Sequence, residues 1–446
     1  MAPTLSPTDW IAPWRATEDL PGRGRPWLDA MRDAAVSRFE DLGTPRRRWE
    51  SWRYTDVAPI VQTTFEPARG GTPARGEIEA ALARLPGGGR FHRLVFVDGI
   101  MVSPLTILHE LPAGVRALSF SDAIEQIPEL LEQHLGKVAL YEDNPFTALT
   151  AAFGRDGVVI HVPKGIVVDR PIEAIWLTTE RANPIANHAR NLLVAEESSA
   201  VTLIDVFHGA HNGVYLNNVT TEIVAGPNAS VTHTRIQEEG RSAFHVADTK
   251  IQQERDSQVH SHVITTGARS SRNELGFALA GPGASCVLNG LFVLNGNQVA
   301  DNMTLVDHQS PHCTSSEFYK GVLDGQSEGG FTGRVLVRED AQKTDAEQNN
   351  RNLLLSDDAQ INTRPQLEIY ADDVKCAHGA TTGQLDRAAL FYLRARGIDE
   401  IRARQILTRA FAAEIIESIP VPEVRDHLLP VVEDRLCPGH ALEEAP

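Results

Sequence analysis

Residues 226–231 read GPNASV, a turn of small and polar residues that closes at Ala229 and opens into the strand-like run VTHT. The same texture recurs as EESSAV closing at Ala200, ERDSQV at Ser257 and GPGASC at Ala284, at intervals of 29, 28 and 27 residues. A further copy, REDAQK at Ala341, lies 57 residues beyond Ala284, which is two intervals, with the middle copy falling at the irregular HQSPHC. SDDAQI at Ala359 follows only 18 residues later and breaks the rhythm. A period in the high twenties, built from strands and turns with almost no helical pattern, is what the stacked coils of a β-solenoid produce, because each coil buries its apolar face only against its neighbours. Leucine-rich repeats share the period but require a leucine consensus absent here. A β-sandwich with accidental spacing is the alternative.

The texture changes on both sides of the repeat. From Pro26 to Leu42, Trp27, Met31, Ala34, Ala35, Phe39 and Leu42 follow helical spacing and Gly43 is placed to end the helix. A short helical pattern covers Glu77 to Leu85, and FHRLVFVDG reads as the first long strand. SDAIEQIPELLEQHLG and NPFTALTAAFG form a helical insertion. After Gly383 strand texture stops: DRAALFYLRARG reads as a helix capped by Asp386 and ended by Gly397, and a longer helix begins at Asp399. Its Ile401, Ile406, Leu407, Ala410, Phe411, Ile415 and Ile416 make one broad apolar face. A third helix follows Pro422. The expected organisation is therefore an N-terminal helical region over 1–90, a β-rich core over 91–382 with a helical insertion near 121–153, and a C-terminal helical domain over 383–446 whose removal leaves the solenoid folded.

Composition narrows the function. In a chain of 446 residues, 42% hydrophobic content suffices for a large core, while 34 Gly and 26 Pro signal many turns. A net charge of −17, with no basic cluster larger than Arg46, Arg47 and Arg48, argues against nucleic acid. No apolar run reaches the length of a membrane span and the start lacks signal-peptide order, so no membrane association and a cytoplasmic location are expected. The cysteines Cys286, Cys313, Cys376 and Cys437 are far apart and form no CxxC, which disfavours a disulfide framework or a closed zinc site.

Three histidine groups invite a metal reading: His208 with His211, His260 with His262, and Asp307, His308, His312 and Cys313 in DHQSPHC. Strand alternation puts both rings of a His-x-His on one side, which suits a metal and equally suits a solvated face. GxSxG, HExxH and Walker A patterns are absent, and GPGAS lacks the following Lys and helix of a phosphate cradle. In YADDVKCAHGATTGQLD, residues 370–386, alternation places Val374, Cys376, His378 and Ala380 on one face and Lys375, Ala377 and Gly379 on the other. A thiolate beside an imidazole suits iron or zinc, but two donors make an incomplete set, so another coil or chain must supply the rest.

The stretches FEDLGTPRRRWESWRYTDV, FTALTAAFGRDGVVIHVPKGIVVDRPI, HQSPHCTSSEFYKGVLDG, AQKTDAEQNNRNLLLSDDAQINTRPQLEIYADDVKCAHGATTGQLD and LFYLRARGI together resemble the SufB/SufD family of iron–sulfur cluster assembly proteins. The resemblance implies a right-handed parallel β-helix flanked by N-terminal and C-terminal helices. It also implies a non-catalytic scaffold that pairs with its paralogue and binds a SufC-type ABC ATPase, building a transient iron–sulfur cluster that no chain holds tightly alone. SufB-like members carry a Cys where Asn350 stands here and a Glu where Gly379 stands, so this chain resembles the SufD branch. His378 then takes the role of the histidine facing SufB's cysteine, with Cys376 a secondary ligand or a packing residue. Ile406, Leu407, Phe411 and Ile415 are the expected ATPase contact. The remaining alternatives are a SufB-like homodimeric scaffold and a β-helix carbohydrate lyase or hydrolase using acids such as Asp301, Asp307 and Asp324; a homodimer of the isolated chain is left open.

Overall fold

The computed structural model describes residues 6–70 and 75–436. From Ile172 onward, successive strands alternate between two ten-stranded sheets, each pairing in parallel with the strand two places along the chain. Sheet 1 contains Ile185–Ala195, Tyr215–Ala225, Phe244–Gln253, Ser270–Leu279, Val299–His308, Glu328–Val337 and Gln360–Ile369. Sheet 2 contains Ile172–Thr178, Ala200–Gly209, Ser230–Glu238, Gln258–Thr265, Ser285–Leu294, Thr314–Leu323, Asp345–Leu354 and Lys375–Gly383. This is a parallel β-solenoid, mainly β, with helices at both chain ends.

The repeat has a backbone cause. Six of the corners leading into sheet 2 contain one residue at positive φ two places before the strand: Ser198, Asn228, Asp256, Gly283, His312 and Lys343. There the chain turns sharply into the opposite sheet in a conformation that L-residues resist, and Ala268, Gly296 and Gly325 do the same in corners leading into sheet 1. At Gly283 an added Cβ would collide with the Asp256 side chain of the preceding coil. In-register starts at Ala200, Ser230, Gln258, Ser285, Thr314, Asp345 and Lys375 give coils of 30, 28, 27, 29, 31 and 30 residues. Ala200 therefore pairs with Ser230, one residue later than the sequence spacing suggested, because inward Val201 and Val231 must share a face. HQSPHC is the middle corner, as expected. Ala359 breaks the rhythm because its turn leads into sheet 1 and belongs to the other series of corners.

The helices clothe the two outer faces. Trp10, Trp14, Phe39, Trp52 and Phe65, with Phe146 and Phe153 of the insertion, pack on Ala186, Leu216, Phe244 and Val246 of sheet 1. The guanidinium of Arg272 lies 3.9 Å from the Trp52 ring centroid and binds Asp301 Oδ2 at 2.6 Å, which pins the N-terminal region to that sheet. The helix Pro26–Leu42, closed by Gly43 at φ 67°, is as read from its spacing. The C-terminal helices Arg387–Ala395, Glu400–Glu417 and Pro422–Leu436 follow the expected order, with Asp386 and Asp399 as caps.

Their placement differs from expectation. Ile415, Ile416, Ile419, Val424 and Leu428 pack against Ile236, Ile264, Leu291, Val293 and Val322 on the outer face of sheet 2. Each such buried side chain contributes about 1.5–3 kcal/mol. Lys320 fastens this contact, its Nζ donating to the Phe411 carbonyl at 2.8 Å and pairing with Glu414. The second and third C-terminal helices are thus a layer of the solenoid, and deleting everything after Gly383 would bare an apolar sheet face.

The corner at His312 yields a stability test. His312→Gly is expected to leave stability unchanged or raised by up to about 1 kcal/mol, whereas the β-branched His312→Val should cost roughly 1–2 kcal/mol, both read by thermal unfolding.

Candidate functional site at the free end of the solenoid

Lys375–Gly383 is the terminal strand of sheet 2 and pairs on one side only, with Asp345–Leu354. In that ladder Cys376 lies beside Ala346, His378 beside Gln348 and Ala380 beside Asn350. Ala346, Gln348 and Asn350 face the interior and are buried. Cys376, His378 and Ala380 therefore share the interior side, the face that strand alternation assigned them. Among the described residues nothing covers that side of the terminal coil: His378 is exposed and Cys376 half-buried. Gln360–Ile369, terminal in sheet 1, is half-buried or exposed along its length. The free end presents an imidazole, a thiol and two strand edges whose outer backbone groups lack a ladder partner.

The layer beneath is buried and polar. Gln348 Nε2 donates to Glu317 Oε2 at 2.7 Å, and burial pushes the Glu317 carboxyl up to about 7. Asn350 donates to the Tyr319 carbonyl at 3.2 Å and accepts from Asn352 Nδ2 at 2.6 Å, so it is fully engaged inside. Burial first, and then the Asp345 charge, push the Cys376 thiol above its ordinary range. Only thiolates are strong metal ligands, so Cys376 is a weak donor in the isolated chain while His378 is sterically free. Among the described residues no group of three or more His, Cys, Asp and Glu side chains could hold a metal ion.

The other candidates resolve into structure. His308 is buried, its Nε2 2.9 Å from Ser315 Oγ, and burial lowers its pKa to about 4. Cys313 is buried with its thiol donating to the Gly281 carbonyl at 3.4 Å, and His312 is an exposed corner residue. HQSPHC is therefore a corner, with its polar atoms turned to different neighbours. His260 is exposed, whereas His262 on the same face is covered near Ser418, the residue that caps the second C-terminal helix. His211 Nδ1 accepts from the Gly213 amide at 2.7 Å, and His208 faces Glu238. Two of the three acids named for a lyase site are engaged too, Asp301 by Arg272 and Thr55 and Asp307 by Arg338 at 2.9 Å, while Asp324 is half-buried. Cys437 lies outside the described residues.

Of the four residues nominated for an ATPase contact, Ile406, Leu407 and Phe411 are half-buried and Ile415 is fully buried against sheet 2, which removes it from any surface. The exposed apolar groups are instead Phe391 at 74%, Tyr392 at 57% and Ile401 at 65%, around a first C-terminal helix with no buried residue. The adjacent Phe–Tyr of DRAALFYLRARG carries this signal in the sequence, but the longer helix has the broader apolar pattern. No described helix is long and apolar enough to cross a membrane.

Comparison with known proteins bears on this geometry. A family model described as "SUF system FeS cluster assembly, SufBD core domain" matches residues 177–411, and one described as "SufBD protein N-terminal region" matches residues 15–174. An iron–sulfur cluster assembly SufBD family protein of Synechocystis is 32% identical over 415 residues, covering 91% of this chain and 90% of that protein. The iron–sulfur cluster assembly proteins SufD of Escherichia coli and Bacillus subtilis are 29% and 25% identical, covering 90% and 92% of this chain and 90% and 94% of their own lengths.

The cysteine chemistry is testable directly. Because its thiol is raised, Cys376 should alkylate slowly with iodoacetamide at neutral pH and accelerate as pH rises; Asp345→Asn should shift that rise to lower pH. Rates read by mass spectrometry as a function of pH check both statements.

Proposed function

This chain belongs to the SufBD family of iron–sulfur cluster assembly proteins, and from that premise we propose that it is a SufD-type scaffold subunit without catalysis of its own. In this reading it pairs with a SufB-type paralogue through the free coil and engages a SufC-type ABC ATPase through its C-terminal helices. The observation that carries the reading is the uncovered terminal coil, where an interior-facing His378 meets solvent between two unpaired strand edges. A partner solenoid that continues the ladders would satisfy both edges and enclose His378. The His378 imidazole then offers one nitrogen ligand, the partner's thiolate another, and the nascent cluster is cargo held between chains, with Cys376 secondary. Asn350 favours the SufD side over a SufB-like homodimer, since its amide is tied into the interior and presents no thiol.

The ATPase contact is reassigned to the exposed surface of Phe391, Tyr392 and Ile401. Pulling on that first helix would load the second, which is bound to Thr314–Leu323 through Lys320. Strain delivered to sheet 2 close to its free end could open the seam between paralogues and expose the ligands, an interface with two arrangements. The compartment consistent with this role is the cytoplasm.

Anaerobic co-purification with SufB-type and SufC-type partners tests the site. His378→Ala should preserve the complex while iron and sulfide fall several-fold; wild-type cluster content in that variant removes His378 from the ligand set. Paired Phe391→Asp and Ile401→Asp should abolish recovery of the ATPase and spare the paralogue, with little effect on stability because both side chains are exposed. Retained ATPase would place the contact elsewhere.

A further inference from the structure

The third C-terminal helix, Pro422–Leu436, meets the solenoid at one buried charged point that the proposed function does not use. Glu238, at the end of Ser230–Glu238, is 7% exposed. His427 Nε2 of the helix stands 2.6 Å from its Oε1, and His208 Nδ1, in register on the neighbouring strand, stands 3.7 Å from its Oε2. The three line a cavity of about 650 Å³ with Arg84, the Gly87–Gly89 turn, Arg90, Glu423 and Asp426. A carboxylate between two imidazoles, bridging segments 189 residues apart, is a contact whose strength depends on protons.

We propose that His427, Glu238 and His208 form a pH-sensitive latch holding the third C-terminal helix to the solenoid, closed while His427 carries its proton and loosened when that proton leaves. Burial lowers the His427 pKa, but the hydrogen bond and charge of Glu238, a bond to the Arg84 backbone and the charge of Glu173 outweigh it and raise the group above the ordinary imidazole range. Burial likewise raises Glu238, but bonding and charge from His208 and His427 hold its carboxyl at about 2. The sign follows. A raised histidine contributes fully below its ordinary pKa and loses that contribution as pH rises through the raised value; a depressed carboxylate fails only in strong acid.

The surrounding charges do not reverse this. Arg90 is paired with Glu423 at 3.1 Å, and Asp426 is exposed. Arg435 of the same helix and Arg241 of the solenoid lie on the Glu238 side. Glu173, paired with Arg93 at 2.7 Å and pushed by burial up to about 7, ionises as pH rises, which strengthens the attraction for a protonated His427 and delays release. The latch therefore governs how much of the C-terminal layer stays with sheet 2 when the first helix is pulled, yet its existence does not depend on any partner.

Hydrogen exchange of the full chain tests it. After correction for intrinsic rates, protection of peptides within 422–436 should fall about tenfold relative to Tyr215–Ala225 between about pH 6 and about pH 9, the size expected when a hydrogen bond loses its charge. His427→Gln, which keeps a donor but no titrating charge, should flatten the profile, and Glu238→Gln should do the same. Protection of Tyr215–Ala225 verifies folding in each variant. A flat wild-type profile, or an unchanged step in either folded variant, overturns the latch.

Discussion

Parallel ladder hydrogen bonds hold each strand in register with the strand two places along the chain, and the rest of the structure depends on that constraint. Register turns single residues into columns. Val201, Val231, Val259 and Cys286 stack down the interior of sheet 2 and continue through Ser315 and Ala346 to Cys376. In-register stacking also repeats a left-handed corner before six of the sheet 2 strands, at Ser198, Asn228, Asp256, Gly283, His312 and Lys343. The tolerance of this scheme for different side chains explains why the repeat is visible in turn texture and almost invisible in residue identity.

A solenoid leaves three kinds of surface to be covered: two outer sheet faces and the coil ends. The first N-terminal helices and the insertion cover sheet 1, while the helix Arg75–Leu82 and the second and third C-terminal helices cover sheet 2. Among the described residues the terminal coil after Asp345–Leu354 has no further neighbour, so interior positions become surface positions there. His378 owes its exposure to that topology: Gln348, one strand below in the same column, is wholly buried. A site on an open coil end combines a rigid floor with an accessible ligand, and it stays short of donors until another chain arrives.

Buried polar groups also mark the points where covering layers meet the solenoid. Arg272 with Asp301 and Thr55 ties down the N-terminal region, and Lys320 with the Phe411 carbonyl and Glu414 ties down the second C-terminal helix. Glu238 with His427 ties down the third. Each polar group is compensated across the junction, which makes these points orientation-specific where apolar contact alone would slide. Several of the histidines that suggested metal chemistry belong to this framework: His308 and His262 are neutral and buried, and His208 serves a carboxylate.

Much of the architecture was legible in the amino-acid sequence. Turn spacing near Ala200, Ala229, Ser257 and Ala284 specified a β-solenoid, helical periodicity and caps located Pro26–Leu42 and the three C-terminal helices, and alternation put Cys376 and His378 on one face. These are local properties, set by backbone geometry within a few residues, and they survive without knowledge of distant contacts. Tertiary structure decided the rest. Whether Ile415 faces a partner or the chain's own sheet, whether His262 is wet or covered, and whether Ala359 belongs to the first or second series of corners depend on which distant segment lies opposite. An apolar helix face records that something must cover it and carries no record of what. The same limit applied to His378: its residue type and face were written locally, but its exposure depends on its strand being the terminal one of its sheet among the described residues.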